Sequence, residues 1–302
     1  MMDRLREIYL VAGFDLMESL RSRKALVLLA LYVAGSVGAS FIFLEALSSV
    51  EDVAAEQLRV ATTTQPGAMT DTLMQSEQFL DMVANLVDDR ELAESLVSVP
   101  AMALFYGWMS LTFAPILVTL TSSDAISSEL GSGSVRFALF RTDRLSWATG
   151  KLAGQTALLG LGVFGGALAA FLVGWSQMAG FDASATGWWL ARISLRSWVF
   201  GFAWLGLTMG ISQLTRSTAR ARAGALLALF AAAVTNAWLG GSWMKEHAPV
   251  VGDTLAQLLP QAYRIDLWRP EVVDRAPAMI MCLALGALYF AAGHAVFSRR
   301  DS

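Results

Sequence analysis

Catalytic and redox chemistry need residues that this sequence has in short supply. Its 302 residues include one cysteine and two histidines, and only 16% are charged, where a water-soluble domain carries about a quarter. A single cysteine cannot form an internal disulfide, and Cys282 sits inside an apolar run, which marks it as a buried, inert thiol. His247 and His294 fall in no metal-ligand spacing, and the 13 methionines are scattered like fillers of apolar helices, so no metal site is expected. Neither the paired-histidine motif of a zinc protease nor the G-x-S-G of an intramembrane serine protease occurs. No convergent set of catalytic groups is left, and no enzyme activity is expected.

Apolar sequence is what the chain has in excess: 55% of residues are hydrophobic and the mean hydropathy is +0.52. The excess is gathered into six runs, near 25–47, 99–121, 152–175, 195–214, 223–243 and 278–297. A run of about 20 apolar residues matches the ~30 Å hydrocarbon core at 1.5 Å per helical residue. Strands of a membrane barrel would instead be about ten residues long with alternating polarity. The expected fold class is therefore all-α, a polytopic membrane protein with six transmembrane helices.

Lysine and arginine set the orientation. With the N-terminus inside, the cytosolic segments collect Arg4, Arg6, Arg21, Arg23 and Lys24, then Arg136, Arg141, Arg144 and Lys151, then Arg216, Arg220 and Arg222, then Arg299 and Arg300. This bias predicts both termini inside, in a membrane expected to be the bacterial inner membrane. The first run follows Arg21, Arg23 and Lys24 like a secretion signal, but it is long and has no clear small-residue cleavage site, so a retained span is expected.

Residues 1–24 place Leu5, Ile8, Ala12, Leu16 and Leu20 on one helical face, as in an amphipathic helix lying at the cytosolic surface. Between the first two spans, residues 48–98 carry ten acidic residues. Val50, Val53, Ala54 and Gln57 suggest one helix there; Leu80, Val83, Ala84 and Val87 suggest a second, with a break at Pro66-Gly67. A small helical outer cap is expected, either a solvated face or the seat of an extracytoplasmic partner. Residues 244–277 include "DTLAQLLPQAYRIDLW", which reads as a short or re-entrant outer helix. Thr235 and Asn236 are the most polar pair deep in a span; they either line a pathway or bond a neighbouring helix.

One cytosolic stretch, "SSELGSGSVRFALFRTDRLSWATGK" from Ser127 to Lys151, ends like the phosphate loop G-x-x-x-x-G-K-[ST]. The pattern fails, because Leu145 stands where glycine is needed and Leu152 where a hydroxyl must reach magnesium. "LAGQ" just beyond has only a faint look of an ATPase signature and lies inside a span, so this chain does not bind ATP by itself. Val135, Ala138 and Leu139 share one face of a short helix, which offers a knob that a soluble partner could grip. An interfacial loop without a partner accounts for the same residues.

At this stretch the sequence resembles the permease subunits of type-2 ABC transporters. Glu129, Gly131, the run from Val135 to Phe140, Arg144 and Gly150-Lys151 fit that family's loop between the second and third spans, with Arg141 standing where the family usually has proline. The N-terminal helix ending in "LRSRK", the six spans and the basic "FSRRDS" fit as well. Among such permeases the one serving copper maturation of nitrous-oxide reductase is similar, including around "LLPQAYRIDLW". The resemblance implies that Glu129, Gly131, Val135, Phe137, Ala138, Leu139, Arg144 and Lys151 couple the chain to cytosolic ATPase subunits. ATP and magnesium would reside in those subunits, and a second permease copy or a related one would complete the membrane unit. The alternative is a membrane scaffold that recruits an outer partner without transport. No nucleic acid is expected among the partners.

Overall fold

Residues 2–58, 65–70, 74, 76–77, 80–81, 83–84, 89–239 and 241–299 are described by the computed structural model, and among them every regular element is helical. The chain opens with α1 (Met2–Arg21) and, after a bend at Ser22, α2 (Arg23–Leu58). No glycine or proline interrupts residues 47–58, so the helix expected around Val50 is the continuation of the first span. At 36 residues and 1.5 Å per residue, α2 runs roughly 50 Å, well beyond a bilayer's apolar core.

The far end of α2 is tied down by its own carboxylate. Glu51 is buried and accepts from the Gly67 and Met69 amides, each at 2.9 Å, and from the Thr70 hydroxyl at 3.0 Å. The turn it holds passes the connection on: Ala179 N–H donates to the Pro66 carbonyl at 2.8 Å. Leu80, Val83 and Ala84 are helical, whereas Val87 and Thr62 to Thr64 lie outside the described residues.

Next come α3 (Arg90–Val97), capped by Asp89, and α4 (Ala101–Ser122). Two short helices, α5 (Ser127–Ser132) and α6 (Val135–Leu139), lead into the 34-residue α7 (Arg144–Gln177). Asp182 then caps α8 (Ala183–Ser212), accepting from the Ser184 and Ala185 amides at 2.9 Å. After α9 (Thr218–Leu239) the chain makes α10 (Ser242–His247) and α11 (Pro249–Ala256), and it closes with α12 (Val272–Ser298). The outer helix expected over residues 253–268 is broken at Pro260 into two 3-10 turns, Pro260–Tyr263 and Asp266–Trp268. Proline removes the donor that a continuous helix would need there.

Five stretches are long and apolar enough to cross a membrane by length and composition: Arg23–Val53, Ala101–Ser132, Arg144–Gln177, Thr218–Leu239 and Val272–Ser298. The sixth expected span lies within α8, which Arg192, Arg196 and its Ser, Gly and Trp residues make less apolar. Yet α8 is the centre of the bundle. It packs on α12, α4 and α7, and buries Phe200, Trp204, Leu205 and Met209. Its crossing with α12 is so close that a Cβ on Gly206 would strike the Gly286 carbonyl, so backbone meets backbone there. Cys282 is buried on α12.

Candidate functional site

At one end of the bundle the structure gathers the start of α2, the α4–α7 connection, the α8–α9 turn and the last turn of α12. This is the end where the basic residues concentrate. Asp124 accepts from Lys24 at 2.6 Å and pairs with Arg222, tying together the first turns of α2 and α9. Ser212, at the end of α8, accepts from the amides of Ile126 and Ser127 at 3.3 and 3.0 Å, and so caps α5 from another element.

The centre of this end is a charge triad in which Lys151 and Asp15 are buried and Glu129 is half-buried. Lys151 Nζ lies 2.8 Å from Asp15 and 2.5 Å from Glu129, and the side chains of Lys151 and Asp15 are each 6% exposed. The Gln155 amide donates to Asp15 at 2.8 Å and to Ser19 at 3.0 Å, while its oxygen accepts from Ser122 at 2.9 Å. One cluster thus joins α1, α4, α5 and α7. Gly150 and Gly154 give α1 its close approach: an added Cβ at 150 would sit 2.6 Å from Val11 Cβ, and at 154, 2.7 Å from Asp15 Oδ2.

The residues "TGKLAGQ" therefore have a structural meaning that nucleotide motifs did not supply. At i and i+4 spacing, Gly150 and Gly154 form the seam, and Lys151 and Gln155 supply its polar partners. The packed face of α1 includes Ile8, Ala12, Leu16 and Leu20 of the expected set, with Leu5 exposed, and it also takes in Val11, Ser19 and the buried Asp15, which the pattern placed off that face. A carboxylate with a partner inside turns the helix toward the bundle. Leu5, Tyr9, Leu10, Phe14 and Met17 are left exposed, an apolar face suited to the membrane surface.

Around the triad, the other residues expected at this connection take separate positions. Val135 is buried, Ala138 and Leu139 pack partly against the core, and Phe137 projects outward at 76% exposure. Phe140, at 84%, projects too, beside exposed Arg136 and Arg141. Gly131 faces the Arg216 carbonyl so closely that any Cβ would collide with it. Arg144 donates to the Ser298 carbonyl at 2.8 Å and lies over the Phe297 ring, linking α7 to the last turn of α12. Asp143 caps α7: the Ser146 amide at 2.8 Å and its hydroxyl at 2.9 Å hold the Asp143 carboxyl below the usual carboxylate range.

Thr235 and Asn236 are not part of this cluster. They are half-buried on α9, roughly 20 Å along the helix from Arg222. Gln213 and His294, which no sequence pattern marked as partners, meet at 3.3 Å, with Gln213 also donating to the Phe290 carbonyl at 3.3 Å.

The chain thus combines long apolar helices, one basic end and a two-helix connector bearing exposed aromatics. Residues 9–302 match the family described as ABC-2 family transporter protein. The chain belongs to that family. A search of curated proteins gave no match. As an ABC-2 family member the chain is a multi-pass membrane protein and a permease component of an ABC transporter, and ATPase partner subunits are implied by the family.

Proposed function

We propose that α5 and α6 are the surface on which separate cytosolic ATPase subunits act, and that the Glu129–Lys151–Asp15 triad passes their movement to α1 and α7. The observation that carries this reading is the pair Phe137 and Phe140, exposed on a connector whose other side is fastened to the charge cluster. A large apolar side chain left in water is a natural anchor for a partner's pocket. ATP binding can shift the permease between inward and outward states only through an element that it contacts differently in each.

In this reading α8 is the sixth span and both termini are cytosolic, so that the basic end faces the ATPases of a bacterial inner membrane. The work done is export or a mechanical action across the membrane. A second permease copy, identical or related, covers α2 and α9. These two helices leave Val27, Leu31 and Ile42, and Leu227, Phe230 and Trp238, exposed, and they flank one groove of about 490 Å³. Within the family the chain is similar to the copper-maturation permease, including around residues 258–268.

Affinity purification from the native membrane tests the assignment. An ATPase bearing a complete phosphate loop, recovered in roughly equal amount, is the expected result; its repeated absence would sink the reading.

A further inference from the structure

Three arginines cluster where the ends of α8 and α12 farthest from the basic end meet, and among the described residues none of them has a carboxylate partner. Arg192 and Arg196 lie one turn apart on α8, and their guanidiniums sit 5.3 and 5.9 Å from the centroid of the Trp189 ring. Arg192 also stacks 5.1 Å from Trp188. Arg275, in the first turn of α12, is buried and donates to the Pro270 carbonyl. Arg192 and Arg275 both lie near enough to act electrostatically on Arg196.

Arg196 is the anomaly. It is 3% exposed, and its Nη1 donates to the Leu267 and Trp268 carbonyls at 3.1 and 3.5 Å, but its Nη2 is buried without any hydrogen-bond partner. Of the carboxylates near this end, Asp266 and Asp89 pair with Arg269 at 3.2 and 3.3 Å, and Glu271 and Asp274, which flank the start of α12, are exposed. Carbonyl dipoles solvate a guanidinium but leave its charge uncancelled, and an ion is costly to bury unpaired. Like charges gathered at such a place call for a counter-ion. Charged residues at membrane depth mark ligand sites by default, and a buried donor left unmatched needs an explanation.

We propose that Arg192, Arg196 and Arg275 form a binding site for the phosphate group of an anionic lipid or lipid-like amphiphile. Planar guanidinium forks match a phosphate's oxygens bidentately. Trp188 and Leu195, both exposed on the same helix, border the site with the surface an acyl chain covers, and tryptophans such as Trp188 and Trp189 settle at headgroup level. Half-buried Arg192 is the point of entry, with Arg196 beneath it. Calling this the outer leaflet rests on the orientation proposed above; the site and its test do not.

The test uses the purified full chain in nanodiscs of phosphatidylcholine alone, of phosphatidylcholine mixed with phosphatidylglycerol, and of phosphatidylcholine with inorganic phosphate in the buffer. Retained lipid is counted by native mass spectrometry and the thermal midpoint is read in each. Phosphatidylglycerol is expected to be retained and to raise the midpoint. Arg196→Gln and the less buried Arg192→Gln are each expected to weaken retention by roughly tenfold or more, the loss of one charge-assisted hydrogen bond. Arg220→Gln, exposed at the basic end, is expected to change nothing. Equal retention in Arg192→Gln and the unaltered protein overturns the proposal even if Arg196→Gln fails to fold. A midpoint raised by inorganic phosphate but not by phosphatidylglycerol overturns the lipid assignment in favour of a soluble anion.

Discussion

Lys151 and Asp15 are 136 residues apart in sequence and 2.8 Å apart in space, buried together at the seam between α1 and α7. Because Glu129 shares the same ammonium, the three positions are unequal. Removing Lys151 leaves two carboxylates facing each other, whereas removing the Asp15 charge leaves Lys151 and Glu129 matched. Lys151→Met is expected to cost about 3–5 kcal/mol, as for a broken buried pair, and Asp15→Asn distinctly less. Thermal unfolding in detergent checks the order; an equal or reversed order contradicts the triad.

The seam itself depends on absent side chains. Gly150→Ala would put a methyl 2.6 Å from Val11 Cβ, and overpacking of this kind typically costs about 1–3 kcal/mol. The expected outcome is release of α1: limited proteolysis should cut within residues 2–21 faster in the variant while the rest of the chain stays protected. An unchanged digestion pattern would show that α1 is held by other means.

These two features also show what could and could not be read in the sequence. The long runs were legible because one bilayer thickness demands one run length, and α2, α4, α7, α9 and α12 follow it. Periodicity finds Ile8, Ala12, Leu16 and Leu20 on the packed side of α1 but assigns Asp15 to solvent, because nothing local to Asp15 announces a lysine more than a hundred residues away. Gly150-Lys151 stands out in the sequence through a failed phosphate-loop pattern and a family resemblance, neither of which shows that the pair packs against α1. Arg192 precedes the apolar run that begins at Leu195 and Arg196 is a single charge within it, and nothing local to the aromatic "WWLARISLRSW" stretch announces Arg275 on another helix. In α6 the period does separate the packed Val135, Ala138 and Leu139 from exposed Phe137.

Acid should weaken the start of α7. The Asp143 carboxyl titrates below its ordinary value because the Ser146 amide, then its hydroxyl, favour the ionised form. Its contribution is thus present above the unfolded value of about 3.9 and is lost as the pH falls through the lower folded value. Asp143→Ala is expected to cost about 0.5–2 kcal/mol at neutral pH, as for a lost helix cap, with the gap to the unaltered protein closing in strong acid. A gap that stays constant with pH would contradict the capping role.

In the proposed function Phe137 and Phe140 are the anchors for the ATPase. The direct measurement is recovery of the ATPase subunit with the permease after Phe137→Asp and Phe140→Asp, singly and together, with monodispersity and helix content as controls. Loss of one buried aromatic anchor lowers affinity by about 2 kcal/mol or more, so the double variant should elute as a folded permease nearly free of ATPase. Equal recovery of ATPase with the double variant would contradict the account.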